Sequence, residues 1–198
     1  MSSTTTASFL ADPPVTETVE QLYSADLAGQ GYVAHLTRLW AHSPESLHLL
    51  GQLLGLAGHV GGIDPRQRQL LVTAAASSMG NSYCSLAFGT KLAAATSDAD
   101  AATVIAGEPV TTSPGDAALV SWARRVATDP SGTSAADVES LRAAGYDDQQ
   151  ILGLTIYIAL RLTFSTVNDA LGAAPDLELA DRAPAGVRAA VDFGRAPA

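Results

Sequence analysis

Apolar residues in this chain recur at helical spacing. Between Pro44 and Gly58, Leu47, Leu50, Leu54 and Ala57 fall on one face of a 3.6-residue period. Between Ser113 and Thr128, Ala117, Val120, Ala123 and Ala127 do the same, with Trp122 beside them. No alternating run of strand length occurs, and neither Asn-Gly nor Asp-Gly marks a hairpin. Helix starts are written as a side-chain acceptor followed by proline: Asp12-Pro13, Ser43-Pro44, Asp64-Pro65 and Ser113-Pro114. Ser134 and Asp147 mark two more. Glycines supply the stops, at Gly29/Gly31, Gly58/Gly61, Gly107, Gly145 and Gly172. These signals predict seven or eight helices and an all-α fold.

Two segments, Leu70–Leu92 and Ile151–Leu171, are apolar nearly all round, which places them in the core or under another subunit. The run Ile151–Leu162 is shorter than the roughly 20 residues of a membrane span and contains Arg161, so it reads as a core helix. A Ser/Thr stretch at 2–8 and an Ala/Pro/Gly-rich end after Asp181 read as tails. The expected organisation is a flexible tail over 1–11, one domain over 12–178, and a C-terminal tail or interface arm over 179–198.

Composition narrows the function classes. The 198 residues are 47% hydrophobic and 16% charged, the signature of a packed domain rather than a disordered chain. Twenty acidic against eleven basic residues give a net charge of −9, and no basic run is present, which excludes a duplex-binding surface. A single cysteine, Cys84, excludes a disulfide framework and a multi-cysteine metal site. The four histidines, His35, His42, His48 and His59, lack ligand spacing, so no metal is expected. There is no phosphate-loop, heme or pyridoxal pattern, and hence no expected cofactor. The amino terminus lacks a basic region followed by an apolar one, which points to the cytoplasm, with no membrane partner.

The segment GGIDPRQRQLLVTAAASSMGNSYCSLAFGTKLAA, residues 61–94, carries the candidate chemistry. It reads as a capped helix, a break near Gly80-Asn81, and a second helix from about Ser82. Cys84 then lies in the first turn of that helix, where unpaired N–H groups and the positive end of the dipole favour a thiolate.

This segment, with RLWAHSPESLHLLGQLLG before it and AGYDDQQILGLTIYIALRLTFSTVNDALGAAPD after it, resembles the alkylhydroperoxidase D (AhpD-like) and carboxymuconolactone decarboxylase-like superfamily over residues 30–175. The resemblance implies a helical bundle built around helical hairpins, a small-molecule substrate, and assembly as a trimer or hexamer. Peroxidase members carry Cys-x-x-Cys, a histidine four residues after the second cysteine, and a glutamate about fifteen before it. In this chain the second cysteine is Cys84, while the first falls on Asn81, the histidine on Phe88 and the glutamate on Gln69, beside Arg68. The scaffold is matched and the dithiol set is not, so no intramolecular disulfide can resolve an oxidised Cys84.

Three functions compete. The leading one is cofactor-free acid/base chemistry on a small carbonyl- or lactone-type substrate. Cys84, Tyr83 and His59 would be catalytic, with Gln69, Asn81, Phe88, Arg68 and Ser165 around the substrate. The second is a single-cysteine, thiol-dependent peroxidase using Cys84. The third is a non-catalytic small-molecule-binding oligomer. Beside each stands a plainer assignment: Cys84 as a buried small apolar residue, Tyr83 as packing, His59 as a surface loop residue.

Overall fold

A computed structural model describes residues 8–111 and 113–198; residues 1–7, most of the expected flexible tail, lie outside the described part. Among the described residues there are eleven α-helices and one 3-10 turn, and no strand. In chain order they are α1 (Glu17–Gln30), α2 (His35–Trp40), α3 (Pro44–Val60), α4 (Pro65–Ser78), α5 (Ser82–Ala95), α6 (Asp98–Ile105), α7 (Pro114–Thr128), α8 (Ala135–Ala143), α9 (Asp148–Ala170), α10 (Leu177–Arg182) and α11 (Ala185–Ala190). The 3-10 turn spans Pro130–Gly132.

Local chemistry sets these boundaries. Asp64 accepts from the backbone of Gln67 while the Gln67 side chain accepts from Asp64 N–H, a reciprocal box that starts α4. Asp147 and Gln150 repeat it at the start of α9. Asp12-Pro13 starts nothing. Pro14 bars the α conformation at residue 13, Asp12 pairs with Arg38, and the helix begins at Glu17 under a Thr16 cap. The excess over seven or eight helices comes from short ones, α2, α6, α10 and α11, too brief to show a period.

The α4–α5 hairpin is the axis of the bundle. Every residue from Leu70 to Ala76 is buried, and α5, α6, α7 and α9 all pack on α4. Small side chains in the run Thr73–Ala76 allow that crowding. Helix α9 is less enclosed than its composition suggests: it lies across α3, α4 and α7 and exposes Leu152 and Ile156. It also makes the closest approach of a glycine to another element's backbone among the described residues. A Cβ at Gly153 would stand 2.3 Å from the Gly61 nitrogen and 2.8 Å from the Val60 carbonyl carbon.

The C-terminal residues are no loose tail on this chain. Helix α11 packs on α5 and α6, and Val187 is fully buried. Asp98 accepts from the backbone N–H groups of Gly186 and Val187 at the start of α11. Further on, Ser82 and Arg195 exchange hydrogen bonds, laying residues 192–197 against the start of α5. At the other end, Phe9 N–H donates to Leu171 O at 2.8 Å.

Candidate active site at the start of α5

The break between α4 and α5 is made by Gly80, at φ 71°, and by Asn81, which caps α5. The Asn81 side-chain oxygen accepts from Cys84 N–H at 2.7 Å, and its amide donates to Ser165 O at 3.4 Å. Asn81 is fully buried and spends its polar atoms holding α5 to α9. It positions Cys84 rather than facing a ligand.

Cys84 is buried at the wall of a cavity of about 340 Å³ between α1–α2, α5, α9 and α10. Two donors from α9 converge on its sulfur. The Ser165 hydroxyl donates at 3.4 Å, and Arg161 Nη2 lies 3.7 Å away. Residues 161 and 165 are one turn apart on α9, so both point the same way. Ala76, Cys84 and Phe164 form a small apolar cluster separate from the main core, flanked by Leu36, Trp40, Leu47, Leu50 and Phe88.

The Arg161 guanidinium is flanked by rings, with its carbon 4.5 Å from the Phe88 centroid and 5.0 Å from that of Phe164. Lys91 Nζ also stands over Phe88, at 5.0 Å. Phe164 stacks nearly parallel on Trp40, with centroids 5.2 Å apart, and Trp40 Nε1 donates to the buried Asn168 at 2.8 Å. Trp40, Phe164, Arg161, Phe88 and Lys91 thus form a continuous series of ring and cation contacts, of which all but Trp40 line the cavity.

Tyr83, the neighbour of Cys84, lines the same cavity and donates its phenol proton to Asp176. Burial, and then the charge of Asp176 and its hydrogen bond, push the Tyr83 phenol far above its ordinary range, so it stays protonated. Asp176 is itself buried and accepts from His35 N–H at 2.8 Å. The His35 ring contacts Ala174 O at 3.1 Å. Tyr32, at the rim, is pushed up to about 12 by burial and then by Asp176. Lys91 moves the other way, lowered by burial first and then by Arg161 and Arg68.

The expected site residues therefore divide. Cys84, Tyr83 and Phe88 come together at the cavity, and the buried Ser165 and Asn81 stand behind Cys84. His59 does not join them: it sits exposed in the last turn of α3. Arg68 is exposed on α4 and reaches the site only through its charge. Gln69 is half-buried on α4, with its side-chain oxygen enclosed and without a hydrogen-bond partner, outside the cavity lining. Sequence reasoning missed Arg161, Lys91, Asp176 and His35. For Arg161 a signal was present: a lone arginine inside the most apolar run of the chain needs a reason to be there.

Fold and site together define an all-α protein with a cysteine-bearing cavity beside the turn of a helical hairpin, and the fold is that of the AhpD core. Among solved structures, the AhpD-core, uncharacterized peroxidase-related protein from Ralstonia eutropha JMP134 is similar over 87% of this chain and 94% of its own, with a TM-score of 0.73 at 18% identity. An uncharacterized peroxidase-related protein from Silicibacter sp. TM1040 is similar over the same shares, at 0.72 and 16%. No protein-family model and no curated protein sequence matches the chain.

Proposed function

We propose that this protein is a single-cysteine, thiol-dependent peroxidase acting on a small organic hydroperoxide. The observation that carries the reading is the convergence of Ser165 and Arg161 on the sulfur of Cys84 at the wall of a ligand-sized cavity. The Cys84 sulfur attacks the terminal peroxide oxygen, the O–O bond breaks, and the remainder leaves as an alcohol after taking up a proton. Cys84 is left as a sulfenic acid, with Arg161 and Ser165 placed to hydrogen-bond its new oxygen. An external thiol then attacks that sulfur and releases water, and a second thiol displaces Cys84 from the mixed disulfide. The external thiol is required because the chain has no second cysteine.

Acid/base chemistry on a carbonyl or lactone is the weaker reading, because His59 faces solvent and the Tyr83 proton is committed to Asp176. The proposal extends to a cytoplasmic homo-oligomer. Exposed Leu49, Leu53 and Leu56 on α3, and Leu152 and Ile156 on α9, support self-association.

The test is turnover of cumene hydroperoxide with dithiothreitol, comparing the natural chain with Cys84→Ser. Intact mass is recorded after peroxide treatment. Turnover that disappears in the variant, with a one-oxygen mass gain in the natural chain, is expected. An unmodified cysteine and no turnover would overturn the reading.

A further inference from the structure

The charge balance of the cavity runs against that of the molecule. The chain carries nine more acidic than basic residues, yet Arg161 and Lys91 stand side by side at the cavity with no carboxylate paired to either among the described residues. The other charged groups lining it are Arg182 and Asp26. Arg182 donates to Gln30 O at 3.0 Å, and Asp26 accepts from Ala34 N–H at 3.0 Å. Arg68 adds a third positive charge near Lys91. Asp176, behind Tyr83, is occupied by the phenol and by His35 N–H.

The geometry of Arg161 selects among anions. Rings of Phe88 and Phe164 lie against the guanidinium, leaving its N–H-bearing edge as the route to a partner. Its Nε is enclosed and makes no hydrogen bond, while Nη2 reaches Cys84 only at 3.7 Å. A planar two-oxygen anion satisfies parallel donors of this kind. Thr90, which also lines the cavity, has an enclosed hydroxyl with no partner. Leu36, Ala87, Phe88 and Phe164 supply an apolar stretch of the same wall.

We propose that the Cys84 cavity binds small organic carboxylates, with the carboxylate on the Arg161 edge next to Lys91 and the apolar body against the aromatic wall. The inference deepens the peroxidase reading, and rests on it for the choice of this cavity as the substrate site. The substrate would then be a hydroperoxide that also carries a carboxylate. Binding itself needs no turnover, so the two can fail separately.

The experiment is calorimetric titration of the full chain and of Cys84→Ser with 3-phenylpropanoate and with its neutral counterpart, 3-phenylpropanamide. The acid is expected to bind at least about tenfold more tightly than the amide in both proteins. Arg161→Gln should abolish the preference, Lys91→Gln should reduce it, and Arg125→Gln, on the exposed side of α7, should leave it intact. Thermal melts identify any variant that has not folded, and the acid-to-amide ratio in the unsubstituted chain stands without the variants. Equal affinities, no binding of either ligand, or a preference that survives in folded Arg161→Gln would overturn the proposal. Carboxylate preference without peroxide turnover would uphold the site and sink the peroxidase. Turnover of a neutral hydroperoxide without carboxylate preference would do the reverse.

Discussion

Replacing Gly153 with alanine sets two known effects against each other with opposite signs. In an unobstructed helix interior, Gly→Ala stabilises by about 0.8–1.0 kcal/mol through backbone propensity. In α9 the new methyl would lie 2.3 Å from the Gly61 nitrogen and 2.8 Å from both Gly61 Cα and the Val60 carbonyl carbon. Ordinary carbon contacts need about 3.5 Å, so α9 must move away from the α3–α4 turn by roughly 1 Å. All three obstructing atoms are backbone, so no side chain can swing aside. Overpacking of this kind costs about 1–3 kcal/mol, and the rigid obstruction puts this site at the upper end or beyond. The expected net loss is about 1–3 kcal/mol, read as a lower midpoint in urea and a melting temperature reduced by about 2–12 °C for a chain of this size. The effect should reach the site as well. Arg161 and Ser165 lie roughly 12 and 18 Å further along the same helix, so a displaced α9 loosens their hold on the Cys84 sulfur. Unchanged stability, or a gain near 1 kcal/mol, would refute the close approach on which the α3–α9 packing rests.

Asn81→Ala removes the cap of α5 and the donor to Ser165 O, and should cost about 2–3 kcal/mol in chemical denaturation. Asn81→Ser, which keeps an acceptor at the cap, should recover part of that, and equal losses would show that the cap contributes nothing. All five tyrosines have phenols raised above their ordinary range, each with burial as the first cause. The folded state therefore keeps protons that the unfolded state releases. Stability should be full below about pH 10 and fall as pH rises beyond it, most of all through the deeply buried Tyr83, whose contribution to the slope is up to ~1.4 kcal/mol per pH unit. Lys91, lowered by burial, opposes this weakly. Urea midpoints from pH 9 to 11 should fall less steeply in Tyr83→Phe than in the natural chain, and identical slopes would contradict the protonated Tyr83–Asp176 pair.

The hairpin that bears Cys84 was readable because its signals are local. Asp64-Pro65 with Gln67 starts one helix, Gly80-Asn81 breaks the chain, and the cysteine follows at a fixed offset. The exposed turn of α3 that carries His59 was readable as a helix end, but which way its imidazole faces depends on α9. Asp176 meets Tyr83 from 93 positions away and His35 from 141, and nothing local marks it as a partner of either. The C-terminal residues misled for a different reason. Their Ala/Pro/Gly composition resembles a tail, while the aspartate that fixes α11, Asp98, lies 88 residues upstream of Gly186. Composition reports what a segment could bury, and long-range acceptors decide whether it does.

The series of rings and cations beside Cys84 has an optical consequence. The chain has two tryptophans, and they inhabit different parts of it. Trp122 donates to Thr155 within the α7–α9 contact, whereas Trp40 is stacked on Phe164, whose other neighbour is the Arg161 guanidinium. With Trp122 replaced by phenylalanine, a single indole remains, stacked behind the cavity-lining Phe164 and held at its nitrogen by Asn168. Its emission would then register any event that shifts the charge two layers away, whether a ligand arriving at Arg161 or an oxygen added to the sulfur, without a label or a coupled assay.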